Sequence, residues 1–92
     1  EARSAKALDA LRHLESLLAP GGRLFVTFPI DSNPALDDAL AQGTLGLTRL
    51  ACFERVGRWN SWRACSVEAV LRRGYGAPFR CANGLVAGWI DR

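Results

Sequence analysis

The sequence predicts an α/β fold, in which helices alternate with the strands of a single sheet. The run from Arg23 to Phe28 has apolar side chains on both faces of a strand. Such a strand needs cover above and below, which is typical of a parallel sheet between two helical layers. A helix with an apolar stripe precedes it, and shorter helix and strand patterns alternate after it. We therefore expect this strand to lie between neighbours that run in its own direction.

Residues 3–18 predict the first helix. Apolar residues recur at spacings of three and four, and the opposite side carries polar residues that include His13, which we expect in water rather than as a base. Pro20 ends the helix, because the residue before a proline avoids helical angles, and two glycines permit the turn into the strand. The apolar stripe consists of Ala7, Leu8, Leu11, Leu14 and Leu18.

The second helix is predicted after the turn that follows Pro29. Asn33 is the expected N-cap, Pro34 occupies the first helical position, and Gly43 ends the helix. Its inner stripe is Leu36, Ala39 and Leu40. Residues 45–56 are mixed in pattern and predict a strand, with or without a bend.

A short helix over 66–74 and a closing strand over 84–90 complete the predicted order. Ser66 caps the helix, an acid follows early, cations come late and Gly74 ends it. The order is helix, strand, helix, strand, short helix, strand. Residues 1–92 form one partial domain in this interpretation, since no methionine and no earlier strand precede the first helix.

Composition excludes several classes of function. The net charge is +3, but the arginines are scattered and match no nucleic-acid-binding module, so we expect no nucleic acid partner. No apolar run approaches the roughly 20 residues of a membrane span, so we expect no membrane partner. Three widely spaced cysteines and a single histidine do not predict a metal site. Unpaired cysteines suit a reducing compartment, and we expect the cytoplasm.

The Leu-x-Pro-Gly-Gly motif that ends in Gly22, followed by the apolar strand, resembles the middle of class I S-adenosylmethionine-dependent methyltransferases. In that family it forms the helix and fifth strand of a Rossmann-like seven-stranded sheet, and a helix and a final antiparallel strand pair follow. Three further stretches are similar to a bacterial methyltransferase-like group, in matching order along the chain. They are residues 29–37, Arg58-Trp59-Asn60-Ser61-Trp62, and residues 75–84.

The resemblance implies that the chain is the C-terminal half of such a domain. The family's glycine-rich cofactor loop is not in these residues, so S-adenosylmethionine would be bound mainly by residues upstream, and the 92-residue segment alone should be inactive. The intact parent would transfer a methyl group to a small-molecule acceptor, with a saccharide among the candidates. This segment would supply sheet core and part of the acceptor wall. The resemblance leaves the acceptor, the methylated atom and the oligomeric state open.

The loop from Pro29 to Asn33 is the first candidate site, because ligand crevices in open α/β sheets lie outside the carboxyl ends of the strands. Asp31 is a candidate general base or contact for a substrate hydroxyl group. Asn33 is a candidate for binding a polar substrate group, or it serves only as the helix cap.

The second candidate site is Trp59, Asn60 and Trp62. Aromatic rings beside an amide suit a sugar or a planar substrate. The alternative is that one tryptophan packs in the core while Asn60 completes a turn. Arg58 and Arg63 flank this segment and are candidates for a phosphate or carboxylate group.

The third candidate, the loop from Tyr75 to Asn83, is expected to have a structural role, with Asn83 shaping the site without taking part in chemistry. Two rival functions stay open beside the methyltransferase. One is a methyltransferase-like scaffold or interaction domain without catalysis. The other is a different α/β enzyme, such as a nucleotide-sugar reductase. A Gly-x-Gly loop upstream, with an acid roughly 20 residues later, would favour the enzyme over the scaffold.

Overall fold

The computed structural model describes residues 2–92, with side chains described from residue 5 onward. Three helices and four strands follow one another along the chain. In order they are α1 (Ala2–Ser16), β1 (Arg23–Pro29), α2 (Pro34–Gln42), β2 (Arg49–Gly57), β3 (Ser61–Cys65), α3 (Val67–Leu71) and β4 (Gly84–Asp91). The strands form one sheet in the order β1-β4-β2-β3, and every pairing is antiparallel. The α/β character predicted from the sequence is confirmed.

The predicted parallel neighbours of β1 are wrong for the described residues. β1 lies at an edge of the sheet and pairs only with β4, which runs in the opposite direction. The register places Leu24 opposite Ile90 and Phe28 opposite Val86. The apolar pattern of a strand reports which faces are covered, but the direction of its neighbour depends on how the later chain returns to it.

β3 was absent from the predicted element order. It forms an antiparallel pair with β2, and the two strands are joined by a turn over residues 58–60. Asn60 has a φ of 63°, a left-handed conformation that asparagine tolerates better than most residues. The predicted Arg58–Trp62 segment is therefore a hairpin turn followed by the start of a strand.

The core lies on one face of the sheet. Buried residues from all three helices meet alternate residues of β1, β2 and β4 there. The opposite face carries Phe25, which is 62% exposed, together with exposed Thr27 and Ala51. The expectation that helices cover both faces of β1 is thus wrong for residues 2–92. The buried core consists of Leu11, Phe28, Ile30, Ala39, Leu40, Leu45, Cys52, Val70, Val86 and Ile90.

The predicted helix ends are confirmed for α2. For α3 the predicted Ser66 cap is confirmed, but the prediction that Gly74 ends the helix is wrong, because α3 ends at Leu71. The Leu36 N–H donates to Asn33 Oδ1 at 3.2 Å, and Gly43 ends α2 with a φ of 71°. The Ala69 N–H donates to Ser66 Oγ at 3.1 Å. His13 on α1 is exposed to solvent, as expected. Among residues 2–92, no helix combines the length and apolar character needed to cross a bilayer.

Candidate functional site

All three predicted segments lie along one edge of the sheet. The carboxyl ends of β1 and β2 meet the amino ends of β4 and β3 there, because every pairing is antiparallel. The loop between β1 and α2, the turn between β2 and β3, and the loop between α3 and β4 all lie at this edge. We call this the loop edge. Hydrogen bonds between these connections define the candidate site.

Asp31 links the first predicted segment to the third. Its Oδ2 accepts the backbone N–H of Tyr75 at 3.1 Å, and its own N–H donates to Asp37 Oδ2 at 2.9 Å. Its φ of 65° is left-handed, a conformation that aspartate tolerates through its short polar side chain. The carboxylate is exposed, so it can contact a ligand as well as order the loop that begins at Tyr75.

Asp37, in the first turn of α2, also belongs to this edge. Burial raises the pKa of its carboxyl group, and the backbone hydrogen bond from Asp31 opposes that rise. Its Oδ1 is buried without a hydrogen-bond partner among the described residues. No sequence signal separates this partly buried acid from its exposed neighbour Asp38.

Asn33 is a helix cap through its side-chain oxygen, which accepts from Leu36. This geometry supports the structural alternative for Asn33, although its side chain is only half-buried and lies at the loop edge. Its role as a substrate contact remains a prediction.

Asn60 and Trp62 are brought together in the hairpin. The indole Nε1–H of Trp62 donates to Asn60 Oδ1 at 2.6 Å. This bond fixes the amide beside the ring and leaves the amide N–H groups of Asn60 without a hydrogen-bond partner among residues 2–92. Trp62 is half-buried, while Trp59 at the tip of the turn is 82% exposed. Neither tryptophan belongs to the core of the sheet.

Arg55 joins the second segment to the third, and sequence reasoning missed it. Its guanidinium group donates to carbonyl oxygens of both loops, at distances of 2.7 to 3.4 Å, and lies 6.0 Å from the ring centroid of Trp62 and 5.4 Å from that of Phe79. An arginine on a strand carries no sequence signal of this role. The acceptors are Gly57, Arg58, Arg80 and Ala82.

Asn83 is fully buried and orders the loop before β4. Its Oδ1 accepts the Phe79 N–H at 3.0 Å, and its Nδ2 donates to the carbonyl oxygens of Phe79 and Cys81 at 2.8 and 3.2 Å. Because every polar atom of its amide is used inside the loop, Asn83 shapes the site. This geometry fits the structural role predicted for it.

The arginines of this edge differ in their partners. Arg63 donates to Glu54 Oε2 at 3.1 Å, and Arg73 also lies within 3.7 Å of that carboxylate. Arg58 and Arg80 are exposed, and no carboxylate among residues 2–92 pairs with either. Of the two arginines predicted to flank the site, only Arg58 remains available for an anion.

The amino end of α2 lacks the features of a glycine-rich cofactor loop. The loop between β1 and α2 contains no glycine, and the Asn33 side chain already occupies the amino end of α2. A cofactor loop of this kind follows a strand, is rich in glycine and opens a helix. Among the described side chains, no three His, Cys, Asp or Glu residues gather as a metal site.

Searches against protein-family models, curated proteins and solved structures found no match to this chain. The class of the protein therefore rests on its fold and on the loop edge: an α/β protein with helices on one face of an antiparallel sheet.

Proposed function

We propose that this chain is the C-terminal part of a class I S-adenosylmethionine-dependent methyltransferase domain and supplies part of its acceptor-substrate wall. The observation that carries the proposal is that three family-like segments lie together along the loop edge. They are separate in sequence, yet hydrogen bonds of Asp31 and Arg55 join them at one edge. Ligand crevices of α/β sheets lie at such an edge.

The free edge of β1 supports the same proposal. The N–H of Ile30 donates to Gly84, and that of Arg92 donates to the Gly22 carbonyl, so even-numbered residues of β1 bond to β4. Odd-numbered residues such as Phe25 and Thr27 therefore direct their N–H and C=O groups away from the sheet. A parallel strand supplied by the preceding half of the domain would satisfy these groups.

In this proposal the chain's own residues bind and orient the acceptor. Asp31 offers a carboxylate that can accept a hydroxyl proton, and Asn60 beside Trp62 offers amide donors next to an aromatic ring. S-adenosylmethionine, bound upstream, would supply the methyl group. The acceptor is a small molecule, with a saccharide among the candidates. Three free cysteines are in keeping with a reducing cytoplasm.

A second candidate function is a scaffold or interaction domain without catalysis. The open face of the sheet favours it, because exposed apolar surface marks contact sites. A depression of about 160 Å³ on this face is lined by residues that include Phe25, Ala51 and Trp89. It lies at the end of β4 opposite the loop edge, so the two functions use different surfaces.

Calorimetric titration with S-adenosylmethionine tests the proposal. We expect the complete product of the reading frame to bind with roughly micromolar affinity and the 92-residue chain to show no binding. A complete product without binding, and without a glycine-rich loop, would favour the scaffold. Binding by the 92-residue chain would mean that the cofactor site is misplaced.

The acceptor wall is tested in the complete product by release of S-adenosylhomocysteine with a panel of hydroxyl and amine acceptors. Asp31→Asn and Trp62→Phe should lower turnover while leaving S-adenosylmethionine affinity unchanged. Asp38→Asn and Trp89→Phe are the matched controls, because Asp38 is an exposed acid of α2 and Trp89 lies at the far end of β4. Equal turnover in all four variants would contradict a role for the loop edge.

A further inference from the structure

Arg58 and Arg80 are exposed arginines of the loop edge that form no salt bridge among residues 2–92. Both side chains are exposed, and the salt bridges of the described residues use other arginines. Arg55, which lies between them, also has no carboxylate partner and is satisfied by carbonyl oxygens alone. None of these three arginines therefore forms a salt bridge with a carboxylate among residues 2–92.

The backbones of the two exposed arginines are fixed next to each other. The Arg55 guanidinium group donates to the carbonyl oxygen of Arg58 at 3.0 Å and to that of Arg80 at 2.7 Å. Because one rigid planar group holds both turns, the two side chains start from adjacent points. Two long, exposed arginine side chains that start from adjacent points can both reach one anion.

Trp59 adds an aromatic surface at the same turn. It follows Arg58 directly and is 82% exposed. The Arg58 guanidinium group lies 5.4 Å from the ring centroid, so it covers one face of the ring. The high exposure leaves ring surface to which a planar or sugar ring can stack.

We propose that Arg58 and Arg80 bind the phosphate group of a phosphate monoester whose ring stacks on Trp59. Guanidinium groups bind phosphate through paired, charge-assisted hydrogen bonds, and an aromatic ring next to them selects a ligand with a flat or saccharide body. A mononucleotide and a sugar phosphate share this chemistry. The inference goes beyond the proposed function, since it needs only the geometry of two turns in this chain.

Calorimetric titration of the 92-residue chain at low ionic strength tests the proposal with three probes. They are uridine 5′-monophosphate, ribose 5-phosphate and uridine. We expect the two phosphates to bind at least about tenfold more tightly than uridine, because only they carry the anion. Tighter binding of the nucleotide assigns a mononucleotide ligand, and equal binding of both phosphates assigns a sugar phosphate; either result supports the site.

Arg58→Ala and Arg80→Ala should each lower the affinity for the preferred phosphate about tenfold. Arg49→Ala is the matched control, because it removes the same charge from an exposed arginine at the opposite end of β2. Thermal unfolding of each variant checks that the fold is intact. All three substituted side chains are exposed, so we expect unchanged midpoints.

Three results would overturn the site. They are the absence of phosphate binding, equal affinity for uridine and its monophosphate, and equal loss in all three arginine variants. The last would show general charge attraction rather than a defined subsite. None of these results bears on the titration of the complete product with S-adenosylmethionine, so the two proposals fail independently.

Discussion

The carboxylate of Asp31 accepts the backbone N–H of Tyr75 at 3.1 Å, across 44 residues of chain. This bond joins the loop after β1 to the loop before β4. It places an exposed acid beside a loop that Asn83 orders from within. Side chains that bond to backbone groups therefore order the loops of this edge.

Two substitutions separate the contribution of the Asp31–Tyr75 hydrogen bond to stability from that of the left-handed backbone at Asp31. Asp31→Ala loses the acceptor and places alanine at a φ of 65°, so we expect a loss of about 1–2 kcal/mol in the free energy of unfolding. Asp31→Gly loses only the acceptor and should cost less. Urea unfolding measures both. Glycine also gains freedom in the unfolded chain, so only a larger loss in Asp31→Gly than in Asp31→Ala would contradict a cost of the left-handed conformation.

Asn83→Ala should be the most destabilising substitution at the loop edge. It leaves the Phe79 N–H and two carbonyl oxygens without their buried partner, which costs about 2–4 kcal/mol. Asn60→Gly is the control, because it removes an exposed amide and keeps the left-handed turn. Chemical unfolding of both variants gives the comparison. A loss of stability in the control as large as that of Asn83→Ala would contradict this account.

Local sequence signals predicted the N-caps of α2 and α3 correctly, but they did not predict the hydrogen bonds between loops at the candidate site. Asn33 and Ser66 could be identified because a cap needs only neighbouring residues. Arg55 could not, since its acceptors lie in two loops that meet only after folding. β3 was missed because it has only five residues, most of them exposed. So short a strand shows little alternation of apolar and polar residues in the sequence.

The direction of the strand that pairs with β1 could not be predicted from the sequence for a related reason. An apolar run such as Arg23–Pro29 is compatible with parallel and antiparallel neighbours, because side-chain alternation is the same in both. The choice depends on β4, which begins more than fifty residues later. Such a long-range pairing leaves no mark in the local pattern.

Asp37 should make the stability of the chain depend on pH. Burial raises the pKa of its carboxyl group above the usual 3.8, so the folded state holds this proton more tightly than the unfolded state. The free energy of unfolding should therefore fall as the pH rises from about 3.8 through the raised pKa.

Asp37→Asn should remove that dependence and keep an acceptor for the Asp31 N–H. The stability of the variant relative to the natural chain should increase as the pH rises through this range, as measured by urea unfolding at several pH values. Asp38→Asn, the exposed neighbour, serves as the control. A relative gain that instead grows toward acid pH would contradict the direction of the shift.

The three cysteines should react with iodoacetamide in the order of their exposure. Cys81 is exposed, Cys65 is half-buried and Cys52 is buried. Burial raises the pKa of the Cys52 and Cys65 thiols, so less of the reactive thiolate is present at neutral pH. Peptide mass spectrometry over time should find Cys81 modified first and Cys52 last. Early modification of Cys52 would indicate that the hairpin of β2 and β3 opens.

Phe25→Lys tests whether the open face of the sheet stays exposed or is covered by helices in the complete product. In the 92-residue chain Phe25 is 62% exposed, so the substitution should leave the free energy of unfolding nearly unchanged and reduce self-association, measured by sedimentation. In a complete methyltransferase domain a second helical layer would cover this face, and a buried lysine there would cost about 2–4 kcal/mol. Gln42→Lys, at the exposed end of α2 and away from this face, is the control. If the complete product tolerates Phe25→Lys as well as the short chain does, this face is open in the complete product. That result would support the scaffold function and contradict a methyltransferase domain with helices on both faces of the sheet.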